Sequence, residues 1–106
     1  MQRICFQLHV RPDGVEEYVK RHEAVWPEMR DALTAAGWHN YSLFIGPEGT
    51  VTGYVECEDF EQARRAMERT DVNARWQREM APFFQGLEGK RPDEGMAPLP
   101  EIFHLD

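Results

Sequence analysis

The sequence has few of the residues on which secreted and membrane-spanning proteins depend. It contains only two cysteines among 106 residues, too few for the disulfide framework of a small secreted domain. No apolar run approaches the roughly 20 residues that a membrane-spanning helix needs. Residues 1–10 alternate in polarity, whereas a signal peptide has a basic start and then an apolar run. We therefore expect a cytoplasmic protein.

Basic side chains are also scarce. Lys and Arg number 12 against 19 Asp and Glu, so the formal net charge is −7. Nucleic acids and anionic membrane surfaces are bound through cationic side chains. The charge therefore disfavours both as partners and favours a small neutral or cationic molecule.

Metal and phosphate motifs are missing as well. His22-Glu23 begins like a zinc-protease motif, but the position of the second histidine is occupied by Trp26. The turn Gly46-Pro47-Glu48-Gly49 joins two predicted strands, so it lacks the following helix that holds a phosphate group. We expect no metal and no cofactor.

Alternating polarity and helix-capping residues predict the order of the elements. Strands are predicted at residues 3–10, 38–45, 50–58 and 101–105. A first helix is predicted to start at Asp13, which has Glu16 at capping-box spacing, and to end at Gly37. Pro27 either kinks this helix or begins a new one.

Two further helices follow the hairpin of the second and third strands. One is predicted after Asp59, which has Gln62 three residues later, and the other after Thr70 or Asp71 and up to Pro82. Residues 85–100 are rich in Gly, Pro and charge and are predicted to form a surface loop, with Asp93-Glu94 solvated.

This element order predicts one α+β domain spanning residues 1–106. Strand, helix, strand, strand, helix pair and strand form the split βαβ pattern of ferredoxin-like folds, an antiparallel sheet with helices on one face. Apolar residues occur on both faces of the strands, as with Phe6 against Cys5 and Val55 against Tyr54. Two copies packed sheet to sheet would cover the second face, so we expect a homodimer that forms a dimeric α/β barrel.

A histidine interrupts the apolar stripe of the first helix. His22 lies four residues after Tyr18, so both side chains lie on the face that packs on the sheet. The second strand carries Tyr41, which His39 flanks on the same face, and the last helix carries Trp76. Each of these elements has one side that could face the same interior space as Tyr18 and His22. Such a group is either ordinary core packing or a site where rings stack on a sugar and imidazole and phenol groups meet its hydroxyls.

The sequence resembles the L-rhamnose mutarotase family over nearly its whole length. The matching residues are Tyr18, Arg21 and His22; Trp26-Pro27-Glu28; Gly37, His39, Asn40 and Tyr41; Thr70-Asp71-Val72; Arg75 and Trp76; Glu101-Ile102-Phe103 and Leu105. The resemblance implies a homodimeric enzyme that interconverts the α and β anomers of L-rhamnose without metal or organic cofactor.

The resemblance also implies roles for individual residues. His22 matches the family's proton donor, Tyr18 and Tyr41 match its substrate contacts, and Trp76 matches the first of two adjacent tryptophans in the sugar pocket. Gln77 occupies the position of the second tryptophan. We expect Gln77 to contact the substrate too. It could replace ring stacking by a hydrogen bond to a hydroxyl group, or it could indicate that the substrate is a different sugar.

Three other functions remain open from the sequence. The protein could be a mutarotase for another 6-deoxy sugar, with Gln77 setting the difference. It could be a haem-binding or oxygenase-type protein of the same dimeric architecture, because one fold supports many functions. It could also be a non-catalytic sugar-binding module in which His22 only hydrogen-bonds the backbone.

Overall fold

The computed structural model describes residues 1–106 and has four strands and four α-helices. The strands are β1 (Gln2–Val10), β2 (His39–Ile45), β3 (Thr50–Cys57) and β4 (Phe84–Gln85). The helices are α1 (Val15–His22), α2 (Pro27–Ala35), α3 (Phe60–Glu68) and α4 (Asp71–Met80). The sheet has the order β2-β3-β1-β4 with antiparallel pairing throughout. This confirms the predicted ferredoxin-like α+β fold. None of the helices is long and apolar enough to cross a membrane.

The core lies between one face of the sheet and the helices. Phe6, Leu8 and Val10 alternate inward from β1, opposite inward-facing positions of β3. Phe6 pairs with Gly53, and a Cβ atom at Gly53 would overlap the Phe6 ring. A glycine is therefore required there, because the aromatic ring lies directly over the neighbouring backbone.

Two of the predicted helix starts are confirmed in detail. The Asp59 side chain accepts a hydrogen bond from the Gln62 backbone N–H at 3.2 Å. The Thr70 hydroxyl accepts one from the Asn73 backbone N–H at 3.3 Å. Each bond satisfies a donor that the first turn of a helix leaves free. The predicted cap at Asp13 is wrong, because a 3₁₀ turn (Pro12–Gly14) precedes α1 and no side chain caps the helix.

Pro27 begins a new helix, which is the second of the two predicted alternatives. The helix α1 ends at His22, and α2 starts with Pro27 in its first turn, where the missing N–H costs nothing. The end of α2 follows the prediction as well. Gly37 has φ +90°, and its N–H donates to the Thr34 carbonyl at 3.1 Å.

The fourth strand is not where the sequence pattern placed it. The residues that pair with the end of β1 are Phe84 and Gln85, and residues 101–105 form no strand. Just before this segment, the Leu99 N–H donates one backbone hydrogen bond to the Cys5 carbonyl of β1 at 2.8 Å. A segment with alternating apolar residues forms a strand only when a neighbouring strand makes backbone hydrogen bonds to it.

The segment 85–100 is also less exposed than predicted. It contains a 3₁₀ turn (Pro92–Gly95) in which Pro92 and Asp93 are buried. The prediction that Asp93 is solvated is therefore wrong, although its neighbour Glu94 is exposed. Hydrogen bonds to α4 hold this turn against the body of the protein.

A β-bulge in β2 changes the face on which its side chains lie. His39 pairs with Glu56, but the next pair is Ser42 with Tyr54, so β2 has one extra residue between them. His39 thus lies on the same face as Ser42 and is exposed, whereas Tyr41 lies on the core side. The prediction that His39 and Tyr41 share a face is wrong, because the strict alternation of a strand fails at a bulge.

Candidate active site

A cavity of about 710 Å³ opens on the helix-covered side of the sheet. Its volume lies in the range of roughly 300–1,000 Å³ that is usual for small-molecule sites. All five predicted site residues line it: Tyr18 and His22 from α1, Tyr41 from β2, and Trp76 and Gln77 from α4. The tertiary structure therefore brings together side chains from three separate elements.

The His22 ring is held in one orientation. Its Nδ1 atom lies 2.9 Å from the backbone carbonyl oxygen of Tyr18. Because a carbonyl oxygen only accepts hydrogen bonds, Nδ1 must carry a proton. The ring also packs on Tyr18, with centroids 4.3 Å apart, and edge-on against Trp76 at 5.5 Å. In neutral His22, Nε2 is therefore the nitrogen with a free lone pair.

Burial favours the neutral form of this imidazole. It lowers the pKa of His22 from the usual value of 6.5, because the charged ring loses solvation, and the hydrogen bond to the Tyr18 carbonyl opposes this only in part. His22 is therefore uncharged at neutral pH. An uncharged imidazole with a free Nε2 can accept a proton from a bound hydroxyl group.

The two tyrosines keep their protons. Burial is the main cause that raises the pKa values of Tyr18 and Tyr41, and electrostatic interactions with Tyr18 and Asp93 raise that of Tyr41 further. Edge-on contacts with Phe83 and Phe84, at centroid distances of 5.9 and 5.5 Å, hold the Tyr18 ring. Both phenols can donate hydrogen bonds at neutral pH, and neither is a phenolate in the resting protein.

The Trp76 ring is fixed by a neighbouring indole. It meets Trp26 edge to face, with centroids 5.0 Å apart, and the Arg75 guanidinium lies 5.7 Å from the Trp26 ring centre. Trp26 immediately precedes the proline that begins α2, so the break between α1 and α2 supplies this support. Trp76 is thereby a rigid aromatic surface in the wall of the cavity.

Gln77 belongs to a buried ring of hydrogen bonds that the sequence did not reveal. Its Nε2 donates to Asn73 Oδ1 at 2.9 Å, and its Oε1 accepts from the Asp93 backbone N–H at 3.2 Å. Asn73 Nδ2 closes the ring by donating to Asp93 Oδ2 at 3.0 Å. All three residues are buried and line the cavity. The spacing of Asn73 and Gln77, four apart on a buried helix face, was the one available sign.

Cysteine and acidic residues form no further cluster in the site. Cys5 and Cys57 are free thiols, and neither lines the cavity. Burial raises the pKa of Cys57, which makes its thiol a poor nucleophile. The structure groups no three His, Cys, Asp or Glu side chains as ligands for a metal ion.

Comparison with known proteins identifies the family. Residues 3–105 match the sequence model of the L-rhamnose mutarotase family. The chain belongs to this family. An L-rhamnose mutarotase from Bacillus subtilis is 40% identical, and one from Oceanobacillus iheyensis is 37% identical, each over the full length of both chains. Mutarotases are isomerases that interconvert the anomers of a sugar.

A solved structure shares the fold. The crystal structure of an L-rhamnose mutarotase from Formosa agariphila superposes with a TM-score of 0.79 and covers all of both chains at 23% identity. This likeness supports the ferredoxin-like architecture. The family match favours none of the three alternatives, which were a mutarotase for another 6-deoxy sugar, a haem-binding or oxygenase-type protein and a non-catalytic sugar-binding module.

Proposed function

We propose that this protein interconverts the α and β anomers of L-rhamnose, with His22 as the acid/base residue. Membership of the L-rhamnose mutarotase family supports the reaction and the substrate. One structural observation supports the role of His22: its tautomer and pKa leave an uncharged Nε2 among the aromatic walls of the cavity.

Ring opening needs a base at the anomeric hydroxyl. In the proposed reaction, Nε2 of neutral His22 takes the proton from O1, the C1–O1 bond becomes a carbonyl, and the bond between C1 and the ring oxygen O5 breaks. O5 then needs a proton. Tyr18 and Tyr41 are both protonated donors in the cavity, so either can supply it directly or through a water molecule.

Ring closure reverses these transfers. After rotation about the C1–C2 bond, the O5 hydroxyl attacks the other face of the aldehyde and returns its proton to the tyrosine oxygen that supplied it, directly or through the same water molecule. The imidazolium of His22 then donates its proton to O1, which regenerates the neutral ring. His22 is thus the base on opening and the proton donor on closure, and no net proton is consumed.

The remaining site residues are proposed to bind the sugar. The Trp76 ring offers a rigid face to the apolar C–H groups of the pyranose, and the phenols of Tyr18 and Tyr41 meet its hydroxyls. Gln77 still has one N–H and one lone pair outside the hydrogen-bond ring described above. Its proposed contact with the sugar is made through these.

Saturation-transfer NMR on equilibrated L-rhamnose tests the function. We expect the protein to accelerate exchange between the anomeric signals. His22→Ala should lower the accelerated rate by about 10²–10⁴-fold, as is usual for loss of a general acid/base. His9→Ala is the matched control, because His9 is exposed on β1 outside the cavity. Equal rates for wild type and His22→Ala would refute the role of His22.

The choice of sugar is tested with the same measurement. L-Rhamnose is expected to exchange faster than L-fucose and L-mannose at equal concentration. A preference for L-fucose would replace the proposed substrate by another 6-deoxy sugar. A shift of the haem Soret band on adding the protein, without anomer exchange, would favour the oxygenase-type alternative.

We further propose that a second copy of the chain covers the open face of the sheet and forms the dimeric α/β barrel. Phe44 is 65% exposed on this face, next to partly buried Tyr54 and Cys5. The C-terminal tail meets β1 at Cys5, beyond the residues that pair with β4, and its residues Ile102 and Phe103 are 94% and 78% exposed. Apolar groups concentrated on one side of a small chain are typical of an association surface.

Light scattering after gel filtration tests the dimer. We expect twice the chain mass of 12.4 kDa for wild type and a monomer for Phe44→Asp. Val19→Asp is the control, because Val19 is an exposed apolar residue on α1, away from the sheet. A wild-type monomer at micromolar concentration would refute the proposal.

We also propose a cytoplasmic location. Both cysteines are free thiols, which reducing compartments preserve. Fractionation of cells that produce the protein checks this, and recovery with secreted or membrane material would contradict it.

A further inference from the structure

The cavity wall contains a carboxylate that the proposed chemistry does not use. Asp93 is 9% exposed, whereas Glu23 and Glu68, the other acidic residues of the lining, are exposed. A buried carboxylate is costly unless it is paired and hydrogen-bonded. The partners of Asp93 therefore indicate how much of its hydrogen-bonding capacity is committed inside the protein.

Those partners leave part of the carboxylate free. Arg91 donates twice, from Nε to Oδ1 at 3.1 Å and from Nη2 to Oδ2 at 2.7 Å. Asn73 Nδ2 donates to Oδ2 at 3.0 Å. A carboxylate has roughly four acceptor positions, so these three bonds leave one, on Oδ1. Arg91 does not line the cavity, whereas Asp93 does.

The position of Asp93 is fixed on both its backbone and its side chain. Gln77 holds its backbone N–H, Asn73 and Arg91 hold its carboxylate, and Glu94 Oε1 accepts from the Arg91 N–H at 2.8 Å at the start of the same turn. A preorganised acceptor loses little entropy when it binds a hydroxyl group. A hydroxyl group that reaches the free acceptor position of Oδ1 therefore meets an acceptor that is already held in place.

We infer that Asp93 is a sugar-binding residue that accepts a hydrogen bond from a ring hydroxyl, and that Gln77 is the positioning residue that holds it. This inference rests on the proposed function. The ring of Asn73, Gln77 and Asp93 explains why the chain tolerates Gln77 where the family pattern has a second tryptophan. Polar side chains replace an aromatic stacking surface at this side of the cavity. A sugar hydroxyl there is recognised by a hydrogen bond to a charged acceptor of fixed orientation.

A set of deoxy sugars crossed with Asp93→Asn tests the inference. The 2-, 3- and 4-deoxy analogues of L-rhamnose each lack one hydroxyl, and anomer exchange is measured for each as a function of concentration. In wild type, loss of the hydroxyl that Asp93 accepts should lower the rate at low sugar concentration by about 10- to 100-fold, the range for a hydrogen bond to a charged group. The other analogues should change wild type and variant alike.

In Asp93→Asn, loss of the same hydroxyl should lower the exchange rate at low sugar concentration by less than about threefold, because the charged acceptor is gone. A comparable loss for all three analogues in both proteins would overturn the inference. Glu88→Gln is the matched control, since Glu88 is an exposed carboxylate of the same segment that does not line the cavity, and it should behave as wild type. Gln77→Trp should weaken the same discrimination, with the effect in KM and little change in kcat.

Two measurements keep this result separate from the proposed function. In one outcome, wild type accelerates exchange of L-rhamnose while each deoxy analogue lowers the rates of wild type and Asp93→Asn by the same factor. In that case only the role of Asp93 fails. If wild type does not catalyse exchange, quenching of tryptophan fluorescence by the same sugars measures binding and decides on Asp93 alone. Should Asp93→Asn not fold, Asp93→Glu keeps the charge but displaces it, and unchanged discrimination in that variant would overturn the inference.

Discussion

The Nδ1 atom of His22 donates a hydrogen bond to the backbone carbonyl of Tyr18, one helical turn earlier in α1, at 2.9 Å. This contact determines the tautomer of the imidazole and leaves Nε2 as its reactive atom. His22 is the last residue of α1, and the carbonyl that orients its ring belongs to the preceding turn of the same helix. The end of the helix therefore contributes directly to the proposed chemistry.

The rate of anomer exchange should fall as the pH drops below neutrality. Burial lowers the pKa of His22 from 6.5, so the neutral base persists to a lower pH than in an exposed histidine. We expect a flat rate from pH 7 to 9 and a decline below pH 6.5 with a midpoint at the lowered pKa. An NMR titration of the His22 ring protons should give the same midpoint, and a midpoint above 6.5 would contradict the buried, neutral histidine.

The same titration should affect stability with a defined sign. A histidine with a lowered pKa in the folded state binds fewer protons than in the unfolded chain. The free energy of unfolding should therefore be highest above pH 6.5 and decrease as the pH falls from 6.5 through the folded-state pKa. Urea unfolding of wild type and His22→Gln from pH 8 to 4 checks this, since the decrease should be smaller in the variant.

Removing the phenol groups of the cavity should slow exchange without unfolding the protein. Tyr18→Phe and Tyr41→Phe each delete a protonated donor while keeping the ring, and we expect about a tenfold lower rate for each, the value of one hydrogen bond. Tyr54→Phe is the matched control on the same sheet, because its hydroxyl donates to Glu56 at 2.7 Å outside the cavity. An equal loss in all three variants would argue against a specific role of the cavity phenols.

Gln77→Ala should destabilise the protein by about 2–6 kcal/mol. The substitution leaves the Asp93 backbone N–H and the Asn73 side-chain oxygen buried without these partners, and each of the two unsatisfied groups carries a desolvation cost of about 1–3 kcal/mol. Urea unfolding measures the change. Gln62→Ala on the exposed face of α3 should alter stability by less than about 0.5 kcal/mol. If both variants unfold at the same urea concentration, the ring is not a stabilising element.

Thr70→Ala should cost about 1 kcal/mol, because it removes the N-cap of the helix that carries Trp76. The Thr70 hydroxyl also donates to the Met67 carbonyl at 2.8 Å, so it links the end of α3 to the start of α4. Thr34→Ala, within α2, should leave stability unchanged or raise it slightly, since alanine is the better helix former. Thermal unfolding of the two variants in one buffer distinguishes capping from a general effect of losing threonine.

Local signals in the sequence were sufficient for much of the fold. Asp59, Thr70, Pro27 and Gly37 mark helix starts and ends because each acts on backbone groups within a few residues of itself. The stripe of α1 that contains Tyr18 and His22 follows from the 3.6-residue period in the same way. These features depend on short-range geometry, which is determined within a single segment of the chain.

Long-range pairing accounts for the errors at His39, at the fourth strand and at Asp93. The bulge at Asn40, with φ +48°, appears only when β2 is aligned with β3, and it removes His39 from the face of Tyr41. The fourth strand is Phe84–Gln85 because those residues meet the end of β1, whereas residues 101–105 have the alternation but no ladder. No pattern near Asp93 signals its burial, since Asn73 and Gln77 lie on a different element.

The sequence by itself determined which side chains could carry proton transfer and sugar contact: the pair Tyr18 and His22 on one helix face, with Tyr41 and Trp76 as candidates elsewhere. Only the tertiary structure decided that they share one cavity, that the imidazole is buried and neutral, and that Asp93 joins them. The physical reason is that residue identity and periodicity are local properties. The tautomer of His22 is set by a carbonyl four residues earlier in the same helix, whereas its burial and pKa and the direction of the Asp93 carboxylate are set by neighbours that are distant in the chain.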